Sequence, residues 1–422
     1  MGRGGLELKV VILGSSAAAL SAAEEFRRHD GQSDVTLISP EEGLPYSKVL
    51  LPYVLRGKIP YQGLTIRESD YFTRLNLRYV QGEAARLEEA EYRLILKDGT
   101  VCPYDKLLIA TGARASTPNI PGIQDSRVCY MRTKEDLDHM MPLLNPGTRV
   151  AVIGSGFVAL QAAWAARFRG LPVTVLGHRI MPSAMDEAGA EVVAQAIRDS
   201  GVELLAPVHT KRIEPGPDGG LRICLEEGAF VDADVILVGA GVKPNTEFLA
   251  GSGILVEKGI PVNGRMQTSH PDVYAAGDVA AGPTVFWEEH VLHSLWPTAV
   301  EMGRVAGGQM AGVDLPYDGS LNMNVTQMFN VTVASVGKFR QQDVDECVVL
   351  PEELGYGRLC VFGKDGVLCG ATLIGGSEGV SFLGKLRPLI ARYQPMTRHP
   401  QELGDYVNKQ AFARNWEEGQ PE

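Results

Sequence analysis

The chain has 422 residues, 45% hydrophobic and 22% charged, with 40 Lys and Arg against 51 Asp and Glu and a formal net charge of −11. That length calls for two or three domains, and that composition is globular rather than disordered. The acidic balance argues against a nucleic-acid partner, whose phosphates need a basic face. No apolar run reaches the roughly 18–20 residues of a membrane-spanning helix.

The first recognisable element is "KVVILGSSAAALSAAEEF", Lys9 to Phe26. Val10 to Leu13 predicts a buried parallel strand and the alanine-rich tail predicts a helix. Between such a strand and helix a dinucleotide fold carries G-x-G-x-x-G; here the three positions hold Gly14, Ser16 and Ala19. Both replacements are small. Ser16 adds a Cβ and a hydroxyl where a pyrophosphate would approach, and that hydroxyl can itself donate to a phosphate oxygen. With a strand starting within ten residues of Met1, no room is left for a signal peptide, so a soluble cytoplasmic protein is expected.

Further on, "YDKLLIATGARASTPNIPG" predicts a strand from Lys106 to Ile109 and a turn at Ala110-Thr111-Gly112. "RVAVIGSGFVALQAAWAARFRGLPVTVLG" then repeats the opening with a better-formed fingerprint, Gly154, Gly156 and Ala159. Strand Val150 to Ile153, a helix and strand Val173 to Leu176 complete the unit. The first glycine permits the tight turn, the second lets the backbone approach a pyrophosphate, and the small third residue packs helix on strand. The phosphate would sit on the free N–H groups of the helix start. One such motif can arise from packing alone, whereas two are hard to explain that way. "DADVILVGAGVKPNTEFL" adds a strand and turn with Gly239, Pro244 and Asn245, and "TSHPDVYAAGDVA" ends a strand in Ala276-Gly277-Asp278. An Asp behind a Gly at that place can hydrogen-bond a ribityl or phosphate hydroxyl. Near the end, "RLCVFGKDGVLCGATLIGG" reads as a β-hairpin and "VSFLGKLRPLIARY" as an amphipathic helix.

These motifs, in this order and over nearly the whole chain, resemble the pyridine nucleotide-disulfide oxidoreductase superfamily, most nearly its NAD(P)H-rubredoxin/ferredoxin reductases and the flavin module of assimilatory nitrite reductase. The resemblance implies an α/β fold with two Rossmann-like dinucleotide-binding domains, as in glutathione reductase, plus a C-terminal α+β domain. It divides the chain into a discontinuous FAD domain (1–118 and 246–320), an NAD(P)H domain (119–245) and a last domain (321–422) that supports flavin binding or dimerisation, leaving a homodimer open. It puts FAD on Gly14, Ser16, Ala19, Ala110, Thr111, Gly112, Gly277 and Asp278. The ribose-binding acid is matched by Glu41, with Glu42 the alternative, and Lys48 of "LPYSKVLLP" falls near the flavin and its phosphates or on a solvated loop. The helix starting around Pro297 and Thr298 would face the flavin pyrimidine ring, with Trp296 covering the ring or serving as a core anchor. NAD(P)H falls on Gly154, Gly156, Ala159 and Gly239.

Three departures qualify the resemblance. The six cysteines (Cys102, Cys129, Cys224, Cys347, Cys360, Cys369) show no C-x-x-C or zinc spacing, and none stands in "EEGLPYSKVLLPY", where the disulfide-reducing branches place redox thiols. Buried thiols in a reducing compartment are the expected reading. Gln161 occupies the place of a glutamate that lies close to the flavin in the family. The second strand of the second copy ends Leu176-Gly177-His178-Arg179, where an acid would accept from the ribose 2′-OH of NADH. The basic pair suits a 2′-phosphate, so NADPH is favoured over NADH, with Arg179 as a surface arginine the alternative.

The expectation is therefore an FAD-dependent NAD(P)H:acceptor oxidoreductase. Hydride would pass from the nicotinamide to flavin N5, and electrons then to a rubredoxin- or ferredoxin-like carrier or a partner subunit, with no catalytic side chain and no metal. The alternatives are reduction of a small-molecule acceptor (O2, nitrite, a quinone) and a structural FAD-holding subunit. Lys385, Arg387, Arg392 and Arg398 offer a positive patch for an acidic carrier, or are ordinary solvated charges.

Overall fold

The structure, a computed structural model, describes residues 8–392 except 287, 289, 351–356 and 377. The chain divides into two compact units. One contains the described residues up to Ala115 together with Val242–Leu321; the other contains Ser116–Gly241 and the described residues from Asn322 onward.

The first unit is organised by a five-stranded sheet in the order Val273–Ala275, Lys106–Ile109, Lys9–Leu13, Asp34–Ser39, Leu77–Gln81, parallel throughout. Residues 10–13, residues 107–109 and strand Val273–Ala275 are buried throughout, as parallel strands covered on both faces require, whereas the edge strand Leu77–Gln81 is buried only at Leu77. Leu13 is level with both Ile38 and Ile109, so the central strands finish side by side at one edge. Helix Ala17–His29 follows the first strand and packs along helix Trp296–Met310. The contact is backbone to backbone: a Cβ on Gly303 would collide with the Ala18 carbonyl, and one on Gly307 with the Ala22 carbonyl. The Ser21 hydroxyl donates to the Val300 carbonyl at 2.7 Å across the same seam.

The second unit repeats the plan. Its parallel sheet runs Glu203–Leu205, Val173–Leu176, Val150–Ile153, Val235–Val238, Val128–Cys129. Helix Phe157–Phe168 follows its central strand. The same unit carries a five-stranded antiparallel sheet in the order Met323–Met328, Val331–Gly337, Val367–Gly375, Arg358–Lys364, Glu346–Val349. Arg358–Lys364 and Val367–Gly375 form the hairpin expected from the sequence, with Asp365-Gly366 at its turn. Helix Glu378–Ala391 packs on the central strands. Arg358 joins this sheet to helix Glu187–Asp199 through two bonds, 2.9 and 2.6 Å, to its N-cap residue Asp186. The fold is thus α/β with two dinucleotide-type sheets and an α+β portion, as the sequence implied. Among the described residues no helix is long and apolar enough to cross a membrane.

Candidate functional site

In each unit the candidate residues gather at the carboxyl edge of the parallel sheet, where open α/β sheets bind ligands. In the first unit the chain leaves strand Lys9–Leu13 through Gly14, whose φ of 125° favours glycine. Its N–H donates to the Ile38 carbonyl at 2.7 Å, and a Cβ there would collide with the Ala110 carbonyl. Ser16 is the N-cap of helix Ala17–His29, extended at φ −108°, ψ −165°. Its carbonyl accepts the Leu20 N–H, but its hydroxyl makes no capping bond, so the N–H groups of the first turn receive no cap from it. Ala19 is 1% exposed and seats the helix on the sheet. The Ser15 hydroxyl meets that of Ser39 at 3.0 Å, tying the turn to the end of the second strand.

The neighbouring strand ends complete this edge. The Ala110 N–H donates to the Leu13 carbonyl at 2.8 Å, and Gly112 follows at φ 65°. Asn245 clamps the turn between them: it accepts from the Thr111 hydroxyl through its carbonyl (2.9 Å), donates from its amide to the Thr111 carbonyl (3.0 Å), and donates its N–H to the Gly112 carbonyl (3.0 Å). Arg114 donates in turn to the Asn245 side chain at 3.1 Å and to Glu247. Gly277, at φ 78°, lies where a Cβ would sit 3.1 Å from Ala18 and 3.5 Å from Ala299, so it separates the starts of the two helices. Asp278 follows, half-buried. Trp296 is the first residue of its helix and half-buried, Pro297 is exposed and Thr298 buried; the N-cap, Leu295, offers no side-chain bond. Two uncapped helix starts therefore converge on one sheet edge.

Glu41 lies two residues beyond the second strand, and Lys48 reaches it at 2.5 Å, so these two candidates meet each other. The Tyr79 hydroxyl donates to the Glu41 carbonyl, and burial raises that phenol above its usual range, keeping it a neutral donor. Glu42 is exposed.

The second unit shows the same turn. Gly154 (φ 117°) donates to the Leu176 carbonyl at 2.8 Å, and a Cβ there would collide with the Gly239 carbonyl. Gly239 itself abuts Ala159, where a Cβ would stand 2.6 Å from the alanine methyl. Gly156 caps helix Phe157–Phe168, and a Cβ there would meet nothing within 4 Å. Ser155 braces the following loop: its hydroxyl donates to the Arg179 carbonyl at 2.7 Å and its carbonyl accepts the Met181 N–H at 2.8 Å. A Cβ at Gly177 would come 2.5 Å from that hydroxyl, a steric reason for the missing carboxylate. His178 and Arg179 are exposed, and the His178 ring stacks on His209 with centroids 4.6 Å apart. Gln161 is buried in its helix and donates to the Thr326 hydroxyl and, at 3.3 Å, to the Gln327 carbonyl, which ties the helix to strand Met323–Met328.

Sequence reasoning missed the Asn245 clamp, the serine braces, Tyr79 and His209. Asn245, Ser15 and Ser155 all stood inside the recognised motifs, whereas Tyr79 and His209 carried no local signal. Of the six cysteines, Cys102 alone belongs to the first unit, on strand Val101–Pro103. Lys385, Arg387 and Arg392 are exposed; Arg398 lies outside the described residues.

The residues at both edges fit a dinucleotide: a positive-φ glycine whose Cβ would close the turn, an uncapped helix start, and a buried alanine in its first turn. Residues 8–303 match the profile of the pyridine nucleotide-disulphide oxidoreductases, and the chain belongs to that family. It is 33% identical over 368 residues to subunit epsilon of the NADH-dependent phenylglyoxylate dehydrogenase of Aromatoleum evansii, covering 86% of this chain and 87% of that one. It is 30% identical over 402 residues to the ferredoxin–NAD(+) reductase component of the anthranilate 1,2-dioxygenase system of Burkholderia cepacia, covering 94% and 96%. In fold it resembles putidaredoxin reductase as seen in its covalent complex with putidaredoxin, with a TM-score of 0.86 at 22% identity, over 95% and 96% of the two chains. The family's members are flavoproteins that use FAD and NAD(P)H, and the chain is an FAD-dependent NAD(P)H oxidoreductase.

Proposed function

We propose that the edge of the first unit holds FAD, that of the second NAD(P)H, and that the electrons pass to a protein-borne carrier or partner subunit. The observation that carries this reading is the doubled turn: two positive-φ glycines, each leading from a parallel strand into an uncapped helix, within one chain. FAD, when bound, accepts hydride from the nicotinamide and releases electrons singly or in pairs. The chain's own contribution is position and electrostatics. The N–H groups of helix Ala17–His29 receive the pyrophosphate, with Asp278 accepting from a flavin hydroxyl. The start of helix Trp296–Met310 lends its dipole to negative charge on the flavin ring. Glu41, held by Lys48, accepts from the adenosine ribose. Lys48, being paired, positions that acid.

In the second unit Gly154, Gly156 and Ala159 receive the nicotinamide nucleotide's pyrophosphate, and His178 and Arg179 favour the 2′-phosphate of NADPH. A protein acceptor is preferred over a small molecule because two relatives that span most of the chain are named as parts of multicomponent systems. Its six free thiols suit a reducing cytoplasm. Exposed Lys385, Arg387 and Arg392 are the docking patch this reading offers an acidic carrier.

The test is a purified protein that is yellow, yields FAD by mass, and reduces ferricyanide with NAD(P)H. That turnover should survive alkylation of the native thiols. A colourless chain that FAD cannot reconstitute would sink the reading, and activity lost on alkylation with FAD still bound would restore a redox thiol. Reversing Lys385 and Arg392 to Glu should slow carrier reduction severalfold at low salt and leave ferricyanide reduction unchanged.

A further inference from the structure

Two cysteines that the flavin chemistry does not use stand together in the antiparallel sheet of the second unit. Cys347 lies on Glu346–Val349, the edge strand, and Cys360 on its neighbour Arg358–Lys364. The register sets Cys347 opposite Phe362 and Val349 opposite Cys360, which puts both thiols on one face, diagonal to each other. Each thiol perturbs the ionisation of the other. They are unequal: Cys347 is exposed, while Cys360 is fully buried. Arg358, two residues before Cys360 and on the same face, brings positive charge to both, and is itself anchored by Asp186.

Their environments push the two thiols apart. The adjacent Cys360 thiol and the Arg358 charge lower Cys347 to about 7, against the opposing effects of burial and Asp186. Cys360 moves strongly upward, because of its Cys347 neighbour and its burial. Every other cysteine is raised: burial takes Cys129 and Cys369 to about 11 and lifts Cys102 and Cys224. An accessible thiolate beside a buried thiol is the arrangement of a redox-sensitive pair.

We infer that Cys347 and Cys360 are a peroxide-reactive dithiol, Cys347 the attacking sulfur and Cys360 the resolving one. The Cys347 thiolate displaces hydroxide from hydrogen peroxide to give a sulfenic acid. The Cys360 sulfur then attacks that sulfur, an S–S bond forms, the S–O bond breaks, and water leaves with the Cys360 proton. Two thiols are oxidised by two electrons and one peroxide is reduced to two waters. Diagonal positions on a ladder stand about 7–8 Å apart, somewhat beyond the ~4.4–6.8 Å between Cα atoms of a disulfide, so closing the bond requires the strand to shift. Among the described residues Glu346–Val349 is paired on one side only and can do so.

The full chain, reduced and freed of reductant, is treated with hydrogen peroxide, quenched with N-ethylmaleimide, denatured and mapped by mass. The expected result is loss of two of the six thiols and a linked Cys347–Cys360 peptide lighter by two hydrogens, reversed by dithiothreitol. Cys347→Ser should abolish the loss. Cys360→Ser should leave a dimedone-reactive sulfenic acid at position 347. Brief alkylation without peroxide should label Cys347 at least about tenfold faster than any other cysteine. Six thiols surviving peroxide, a linkage between two chains, or oxidation of Cys347 beyond sulfenic acid while Cys360 stays free would each overturn the inference.

Discussion

The two glycine turns can be laid side by side. In both, the first glycine has a φ above 110°, donates to the end of the adjacent strand, and leaves no room for a Cβ against a carbonyl across the sheet edge. In both, an alanine 1% exposed in the first turn of the helix seats it on the sheet. The middle position differs, Ser16 against Gly156, yet both are extended N-caps with φ of −108° and −86°. The backbone therefore demands glycine at the first position and not at the middle one. What the middle glycine supplies is open space over the helix start. The serine between them also has two jobs: Ser15 ties to Ser39, while Ser155 holds the Arg179 carbonyl and displaces any side chain at 177.

The largest effect should come from Gly14→Ala, which combines a disallowed φ with a collision on the Ala110 carbonyl. A cost of about 2–4 kcal/mol is expected, with loss of bound FAD, read from thermal unfolding and the flavin absorbance. Gly154→Ala carries equal strain but should leave the protein yellow while NAD(P)H turnover collapses. If it sheds FAD as readily as Gly14→Ala, the two turns do not hold different nucleotides. Next, Arg179→Glu should move the ratio of kcat/KM for NADPH over NADH by about tenfold toward NADH, one charge-assisted contact. A wild type that strongly prefers NADH would remove the basis for that expectation. Ser155→Ala deletes one loop bond worth about 0.5–1.5 kcal/mol. It should raise the KM for the nucleotide with flavin content unchanged, whereas Ser15→Ala should leave that KM alone. The smallest effects belong to the middle position. Ser16→Gly and Gly156→Ser should each change affinity for their own nucleotide by less than about 1 kcal/mol, measured by titration. A large loss of FAD in Ser16→Gly would mean that the serine hydroxyl itself binds phosphate.

Much of this was legible because it is local. Strands Lys106–Ile109, Val150–Ile153 and Val173–Leu176 fall where their apolar runs put them, since a parallel strand buried on both faces needs an unbroken run. The turns were legible because a positive φ selects glycine. What stayed hidden depends on partners distant in sequence. Nothing at Gln161 announces Thr326, nothing at His178 announces His209, and spacing alone does not reveal the register that sets Cys347 beside Cys360. The ion pair of Glu41 with Lys48 was half-visible: both residues stood out, but their meeting did not. Gly303 and Gly307, one helical turn apart, are the sequence sign of a close-packing face.

That glycine seam also bears on the order in which the molecule can be built. The first helix presents Ala18 and Ala22 to Gly303 and Gly307, which the ribosome supplies only after the whole of Ser116–Gly241 has been made. The strand Val273–Ala275 is likewise a late arrival in a sheet begun at Lys9. During translation the parallel sheet around Val150–Ile153 thus has all its strands before the sheet around Lys9–Leu13 can close, and a nascent chain halted short of Trp296 leaves the small-residue face of its first helix without the helix that covers it.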